Sequence, residues 1–446
     1  MCYNLYINKF KRVKKLTRKY KLKYREDEFY MSEKIMKTPL PEGGLGWSAI
    51  DEREIEAVTK LLKKPETLFR YPGGGETREC PLFENELREK IGVKGALMVA
   101  SGTSALTLCL SANGIGPGDE VIVPAYTYIS TASAVTNAGA VPVIAEIDES
   151  LGLDPEDIER KITPYTKAVI LVHMQGIPGR INAVRAVCKK HNIILVEDAC
   201  QAIGSKYFGE YTGVNSDAFA WSLNFFKVIT CGEGGVFFAN DEDVFLRGIY
   251  AHDPGSPMWK TGLSQGSKLA PYTQMGIRGN ELCAAVARVQ LSKLDMILGK
   301  TRSLKKKLLS CLDTPVNYIL QHVDDPEGDC GFSFSIIAKN NESAKGMAEL
   351  MGSQGLYIGS VYNESGFPDR HIYKNWEAII EKHSPTPAGY PWNDPNYRGN
   401  VKYSPDMCRK SLDILSRCLR FTININMTEA NMEEVAQTIN YADKNL

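Results

Sequence analysis

The stretch Ile193-Ile-Leu-Val-Glu197-Asp198-Ala-Cys-Gln201 decides the fold. Four aliphatic residues in a row, followed by two carboxylates and a small residue, read as a strand buried on both faces that ends in an acid. Such a strand belongs inside a sheet covered by helices on either side. Working outward, runs of the same kind recur at Glu120–Pro124, Ala140–Ala145, Lys167–His173, Asp217–Ser222 and Gly234–Ala239. Helical patterns fill the intervals at Ser104–Asn113, Tyr128–Ala138 and Ile181–His191, the last closing in Lys189-Lys190-His191, where cations suit a helix C-terminus. The alternation predicts an α/β fold built on a doubly wound sheet.

Past residue 280 the pattern changes. Glu281–Leu298 reads as a long helix running on into the basic stretch Lys300–Lys307, followed by a strand at Gly331–Ala338 and a helix at Glu342–Ser353. A last helix opens at Thr428, a plausible N-cap, and runs to about Asp443. The expected division is a basic extension at 1–40, a large domain at 41–295 and a smaller C-terminal α+β domain at 296–446. The last carries a Pro- and aromatic-rich loop at 384–400, long enough to be functional or mobile and a source of pocket residues.

Composition excludes several classes. The 446 residues carry 53 Lys plus Arg against 53 Asp plus Glu, so overall charge argues for neither a nucleic-acid partner nor a membrane. Residues 1–25 hold ten of those cations and no acid; the run lacks the apolar segment of an export signal and reads as a solvated extension, a basic contact arm being the other reading. The 11 cysteines show no Cys-x-x-Cys pair and no close Cys/His grouping, which points to free thiols in a reducing cytoplasm and away from a metal centre.

Four segments carry the chemistry. Ala100-Ser-Gly102-Thr103-Ser104 is a small-residue turn opening a helix, whose free N–H groups and hydroxyls suit a phosphate dianion. Pro124-Ala-Tyr126-Thr-Tyr128-Ile-Ser-Thr131 follows a strand and offers an aromatic face to a flat ring. Asp198 ends the opening strand, with Gln201 one helical turn later; alone, such an acid also suits magnesium or a helix cap. The fourth segment is Ser222-Leu-Asn-Phe-Phe-Lys227-Val-Ile-Thr-Cys-Gly232-Glu-Gly-Gly235, an amine on a loop whose glycines let the chain re-enter the sheet. Read jointly, a phosphate cradle, an aromatic plate, a carboxylate and a lysine are what pyridoxal phosphate requires: the lysine for a Schiff base, the acid to keep the pyridine nitrogen protonated.

Together with Gly116-Pro-Gly-Asp-Glu-Val-Ile-Val-Pro124, these segments resemble the DegT/StrS family of pyridoxal-phosphate-dependent sugar aminotransferases, strongly over residues 45–300. The resemblance implies the aspartate-aminotransferase-like type I fold of pyridoxal-phosphate-dependent transferases, with a large mixed-sheet domain, a smaller α+β domain and active sites at a homodimer interface. It makes Lys227 the Schiff-base lysine and Asp198 the pyridinium partner. Gln201 becomes the contact to the ring hydroxyl, Gly102, Thr103 and Ser222 the phosphate contacts, and Tyr128, in preference to Tyr126, the stacking residue. It implies an amino-acid donor, L-glutamate or L-glutamine, and a keto-sugar acceptor linked to a nucleotide. A free keto sugar or cyclitol, or a regulatory protein on the same fold, are the alternatives.

Two departures stand out. Gly276-Ile-Arg278-Gly-Asn280-Glu-Leu282 has glycine where family members carry an asparagine that reaches the neighbouring subunit's phosphate, and bulky Phe225 and Phe226 precede the lysine. His173, His252, Phe225 and Arg278 are the candidate substrate contacts, a satisfied core histidine being the other reading of His173, whereas His191, His322, His371 and His383 are left outside the site.

Overall fold

Seven strands form the main sheet of the computed structural model: β1 (Gly95–Val99), β2 (Glu120–Pro124), β3 (Val141–Ala145), β4 (Thr166–Val172), β5 (Ile194–Asp198), β8 (Ala218–Ser222) and β9 (Gly235–Ala239). The two-residue strands β6 (Lys206–Tyr207) and β7 (Glu210–Tyr211) pair only with each other. The structure describes residues 34–71, 78–255, 269–272, 274–366 and 368–446, so the basic run expected at the N-terminus lies outside the described residues. Every strand named from sequence is present within one residue of its expected ends, apart from Gly331–Ala338, which starts two residues later. Edge strand β1 was not foreseen as an element of its own.

The order across the sheet is β1-β9-β8-β5-β4-β2-β3, with β9 antiparallel to both neighbours and the remaining pairings parallel. Alternation along a strand sends successive side chains to opposite faces, and both faces are covered. In β1, Leu97 and Val99 join one apolar cluster with Leu106, Val123 and Ile170. Ala96 and Met98 point the other way, into a cluster with Trp221, Phe238, Leu291 and Leu294. The doubly covered sheet explains why its strands read as unbroken apolar runs.

One helix, Glu281–Ser310, runs for 30 residues, capped at its start by Asn280, whose side chain accepts from Cys283 N–H. It passes residue 295 without a break and supplies Leu291 and Leu294 to the sheet and Leu304 and Leu308 to a third cluster. That cluster packs the antiparallel strands β10 (Tyr318–Leu320), β11 (Ser333–Ala338) and β12 (Cys418–Thr422) against helices Asn341–Ser353 and Glu429–Lys444. Thr428 caps the last helix through a reciprocal pair of bonds with Asn431, as expected of a Thr before a helical pattern.

The 384–400 loop lies at the N-terminal ends of the parallel strands. Tyr397 Oη donates to Glu120 Oε1 at 2.8 Å, and Asn396 packs beside Gly118. The strands' C-terminal ends, where α/β sheets gather their ligands, lie at the opposite edge.

Candidate active site

The C-terminal ends of β1, β2, β4, β5 and β8 open onto one cavity of about 600 Å³. Its wall includes Gly102, Thr103, Tyr128, Asp198, Gln201, Ser222 and Lys227, so all seven residues assigned to cofactor binding from sequence meet in one place.

Asp198 sits at the floor, 4% exposed. Its Oδ2 accepts from Thr131 Oγ1 at 2.9 Å and its Oδ1 from Cys200 N–H at 3.1 Å. Thr131 and Thr127 share a further hydrogen bond of 2.7 Å, so one hydroxyl from the loop after β2 and one from the start of helix Ser130–Asn137 brace a carboxylate from β5. Gln201 Oε1 accepts from Gln175 N–H at 3.1 Å. That bond leaves the amide NH₂ to donate.

The opposite end of the cavity is shaped by close backbone approach. Ser101 Oγ caps Ser104 N–H at 3.1 Å, while the N–H groups of Gly102 and Thr103, in the first turn of helix Gly102–Ala112, have no acceptor within the helix. A Cβ on Gly102 would stand 2.7 Å from Ser222 Cβ and 3.1 Å from Cys200 Sγ. A Cβ on Gly235 would stand 2.3 Å from Ser101 O. Glycine at both positions is what lets the helix start, the Ser222 hydroxyl and the β9 entry converge.

Lys227 reaches the cavity from a tight loop. Its N–H donates to Asn224 O at 3.0 Å, Leu223 N–H donates to Gly234 O at 2.9 Å, and Gly46 N–H donates to Lys227 O at 3.3 Å. Phe226 lies on the rim at 78% exposure. Phe225 turns outward and stacks on Trp47 with ring centroids 5.5 Å apart.

The remaining candidates lie elsewhere in this chain. His173 is fully buried behind β5; its Nε2 is 2.9 Å from Glu197 Oε2 and its Nδ1 accepts from Gly179 N–H at 3.0 Å. His252 is buried with Nδ1 on Ile249 O at 2.6 Å, and burial first, then the Arg70 cation, lower its pKa to about 4. Arg278 pairs with Asp253 at 3.0 Å. Tyr126 is fully buried with its hydroxyl on Arg420, which leaves Tyr128 as the tyrosine at the cavity. Space beside Gly276 is open: a Cβ there would meet nothing within 4 Å.

Thr131 and Phe332, to which the sequence attached no role, also line the site, and so does His371, which was left outside it. Thr131 stood inside a quoted segment. Phe332 and His371 come from far along the chain, and His371 packs against Tyr128 with ring centroids 5.3 Å apart. No local pattern marks a residue that long-range pairing brings back.

The donor set fits pyridoxal phosphate. A buried carboxylate, first-turn N–H groups with no acceptor inside their helix beside a hydroxyl, an amine and an aromatic face, all on one cavity, match its ring nitrogen, phosphate, carbonyl carbon and ring plane. Among the described residues no group of three or more His, Cys, Asp or Glu side chains is placed to hold a metal, and no helix is long and apolar enough to cross a membrane.

Comparison with known proteins gives the same direction. GDP-perosamine synthase of Caulobacter vibrioides is 38% identical over 219 residues, 48% of this chain and 56% of that protein. Spore coat polysaccharide biosynthesis protein SpsC of Bacillus subtilis is 38% identical over 251 residues, 55% of this chain and 63% of that protein. The chain thus spans little more than half the length of these curated relatives. The crystal structure of 3-amino-5-hydroxybenzoic acid synthase superposes with a TM-score of 0.71 at 25% identity, over 92% of this chain and 100% of the other. The fold is therefore that of the pyridoxal-phosphate-dependent sugar aminotransferases. Residues 48–378 match the profile of the DegT/DnrJ/EryC1/StrS aminotransferase family, and the chain belongs to that family.

Proposed function

We propose that this protein is a pyridoxal-phosphate-dependent aminotransferase. It moves an amino group from L-glutamate or L-glutamine to a nucleotide-linked keto sugar in amino-sugar or polysaccharide biosynthesis. The observation that carries the reading is the meeting of Lys227, Asp198, Ser222 and the Gly102–Thr103 turn around one cavity. Family membership, with a GDP-perosamine synthase and a spore coat polysaccharide biosynthesis protein among the relatives, supports the acceptor class. The homodimer with sites at its interface rests on the family resemblance.

When bound, pyridoxal phosphate supplies a carbonyl carbon to receive the amino group and a ring that delocalises the electron pair left as the donor's Cα proton departs. The chain's own residues do the rest. Gly102 and Thr103 N–H groups and the Ser222 hydroxyl would hold the phosphate, Tyr128 would offer its face to the ring, and Gln201 would donate its NH₂ to the ring hydroxyl. The Asp198 carboxylate would keep the proton on the ring nitrogen, since opposite charges in a buried site favour each other's ionised form. Lys227 Nζ, on the wall of the same cavity, would be the base that takes the proton from the donor's Cα.

The test is a half-reaction. L-glutamate added to the holoenzyme should bleach the visible absorbance of the lysine-linked cofactor. The aminated form should then react with members of a panel of nucleotide-linked keto sugars, free keto sugars and inososes. A protein that binds the cofactor yet shows no half-reaction with any amino acid would overturn the reading.

A further inference from the structure

His371 is held at the cavity wall by backbone pairing to the loop after β2. Thr127 N–H donates to His371 O at 2.9 Å, Ile129 N–H to Arg370 O at 3.0 Å, and Tyr373 N–H to Ala125 O at 3.0 Å. Tyr126 and Ile372 form an antiparallel bridge. These bonds leave the His371 ring tilted by 50° against Tyr128, in the same cavity as Lys227 and Asp198.

Asp369 sets the direction of that ring. His371 Nδ1 lies 2.7 Å from Asp369 Oδ1, which also accepts the His371 backbone N–H at 2.9 Å. Burial pushes the Asp369 carboxyl up, but its bonds to His371 outweigh this and leave it below the usual carboxylate range. A carboxylate only accepts, so Nδ1 carries the ring proton and, in the neutral imidazole, Nε2 keeps a lone pair. The long segment between β11 and β12 thus delivers a hydrogen-bond acceptor beside the plate on which the cofactor's ring would lie.

We propose that His371, oriented by Asp369, accepts a hydrogen bond from a hydroxyl of the keto acceptor and so sorts the acceptor from the amino donor. The inference rests on the aminotransferase reading and adds a specificity residue to it. A sugar hydroxyl near the ketone can donate to Nε2. The carboxylates of glutamate and of 2-oxoglutarate cannot. His371 is then a substrate contact for one half-reaction only, and Asp369 is the residue that positions it.

Single-turnover absorbance of the cofactor separates the halves. Wild type, His371→Ala, Asp369→Ala and Asp369→Asn would each be run with L-glutamate and then, in the aminated form, with a GDP-linked 4-keto-6-deoxyhexose or with 2-oxoglutarate. In His371→Ala and Asp369→Ala the sugar half-reaction should lose about tenfold or more in kcat/KM, mainly through KM, as expected for one lost hydrogen bond. Both amino-acid half-reactions should stay within about twofold of wild type. Asp369→Asn should restore most of the loss, because an amide oxygen still accepts from Nδ1–H. Calorimetric Kd of the sugar on cofactor-free His371→Ala protein should rise by a similar factor.

Equal losses with sugar and with 2-oxoglutarate would overturn the proposal and make His371 a support for Tyr128. Wild type that exchanges with 2-oxoglutarate yet takes no GDP-, dTDP- or UDP-linked or free keto sugar would overturn it as well. Wild type with no glutamate half-reaction would instead sink the aminotransferase reading beneath it.

Discussion

Thr131 Oγ1 donates to Asp198 Oδ2 at 2.9 Å, tying the start of helix Ser130–Asn137 to the acid at the end of β5. The bond holds a 4%-exposed carboxylate at a fixed angle below the cavity. Thr131→Val keeps the shape and removes the donor, so Asp198 should lose one of its two observed hydrogen bonds. We expect kcat to fall about tenfold in Thr131→Val, the effect of one hydrogen bond to a charged group. In Asp198→Ala it should fall on the order of 10²–10⁴-fold. Steady-state rates on folded, cofactor-loaded variants check both, and a near wild-type rate in Asp198→Ala would remove it from its role.

Gly102→Ala probes the phosphate cradle. The new methyl would stand 2.7 Å from Ser222 Cβ, closer than real Cβ atoms come, so the helix start or the end of β8 must shift. Cofactor affinity should weaken about tenfold or more, a loss of roughly 1.4 kcal/mol. Fluorescence titration of the cofactor-free protein with pyridoxal phosphate reads it, and an unchanged Kd would argue against a phosphate at this turn.

His252 should make the fold acid-sensitive. Its native pKa is about 4, against an ordinary 6.5, so the unfolded chain binds its proton at a pH where the native protein does not. The stabilisation is complete above about pH 6.5 and is lost as pH falls toward 4, amounting to roughly 3 kcal/mol over that window. Urea melts at pH 7 and pH 4.5 should show a smaller drop in His252→Gln than in wild type. Equal drops would show that other groups govern the acid limb.

Lys293 and Glu54 form a buried pair, 2% and 3% exposed, with Nζ 2.6 Å from Oε1. Gln290 Nε2 donates to the same oxygen at 2.8 Å, and Gln290 Oε1 accepts from Thr230 N–H on the lysine loop at 3.3 Å. Glu54→Ala leaves the buried ammonium with the half-exposed Asp51 at 3.2 Å and Ala49 O at 2.6 Å as its partners and should cost about 2–3 kcal/mol. Denaturant midpoints measure the loss, and a change below about 1 kcal/mol would mean the lysine finds water.

Much of this was legible in sequence because it is local. Asp198 and Ser222 each end an apolar run, Lys227 follows five residues after the second, and the Gly102 turn opens a helix; a doubly covered sheet turns such runs into a readable row of strand ends. The hydroxyl of Thr131 was not legible, since its partner is 67 residues away. Nor was His371, whose place depends on Tyr126–Ile372 pairing. The 384–400 loop looked like a source of pocket residues from its composition. Yet Tyr397 seats it on Glu120, at the edge of the sheet away from the cavity, and nothing in a Pro- and aromatic-rich run says which end of a sheet it will cover. His173 and His252 stood as candidate contacts near strand and helix ends, and burial holds them instead on Glu197, Gly179 and Ile249.

The central claim is that Lys227 carries the cofactor and the proton. Its most direct measurement is the absorbance spectrum and glutamate half-reaction of Lys227→Ala and Lys227→Arg, with circular dichroism confirming the fold. We predict folded proteins that lack the visible absorbance of the lysine-linked cofactor and give no turnover. Retention of that absorbance, or of amino transfer at a rate near wild type, would contradict the account.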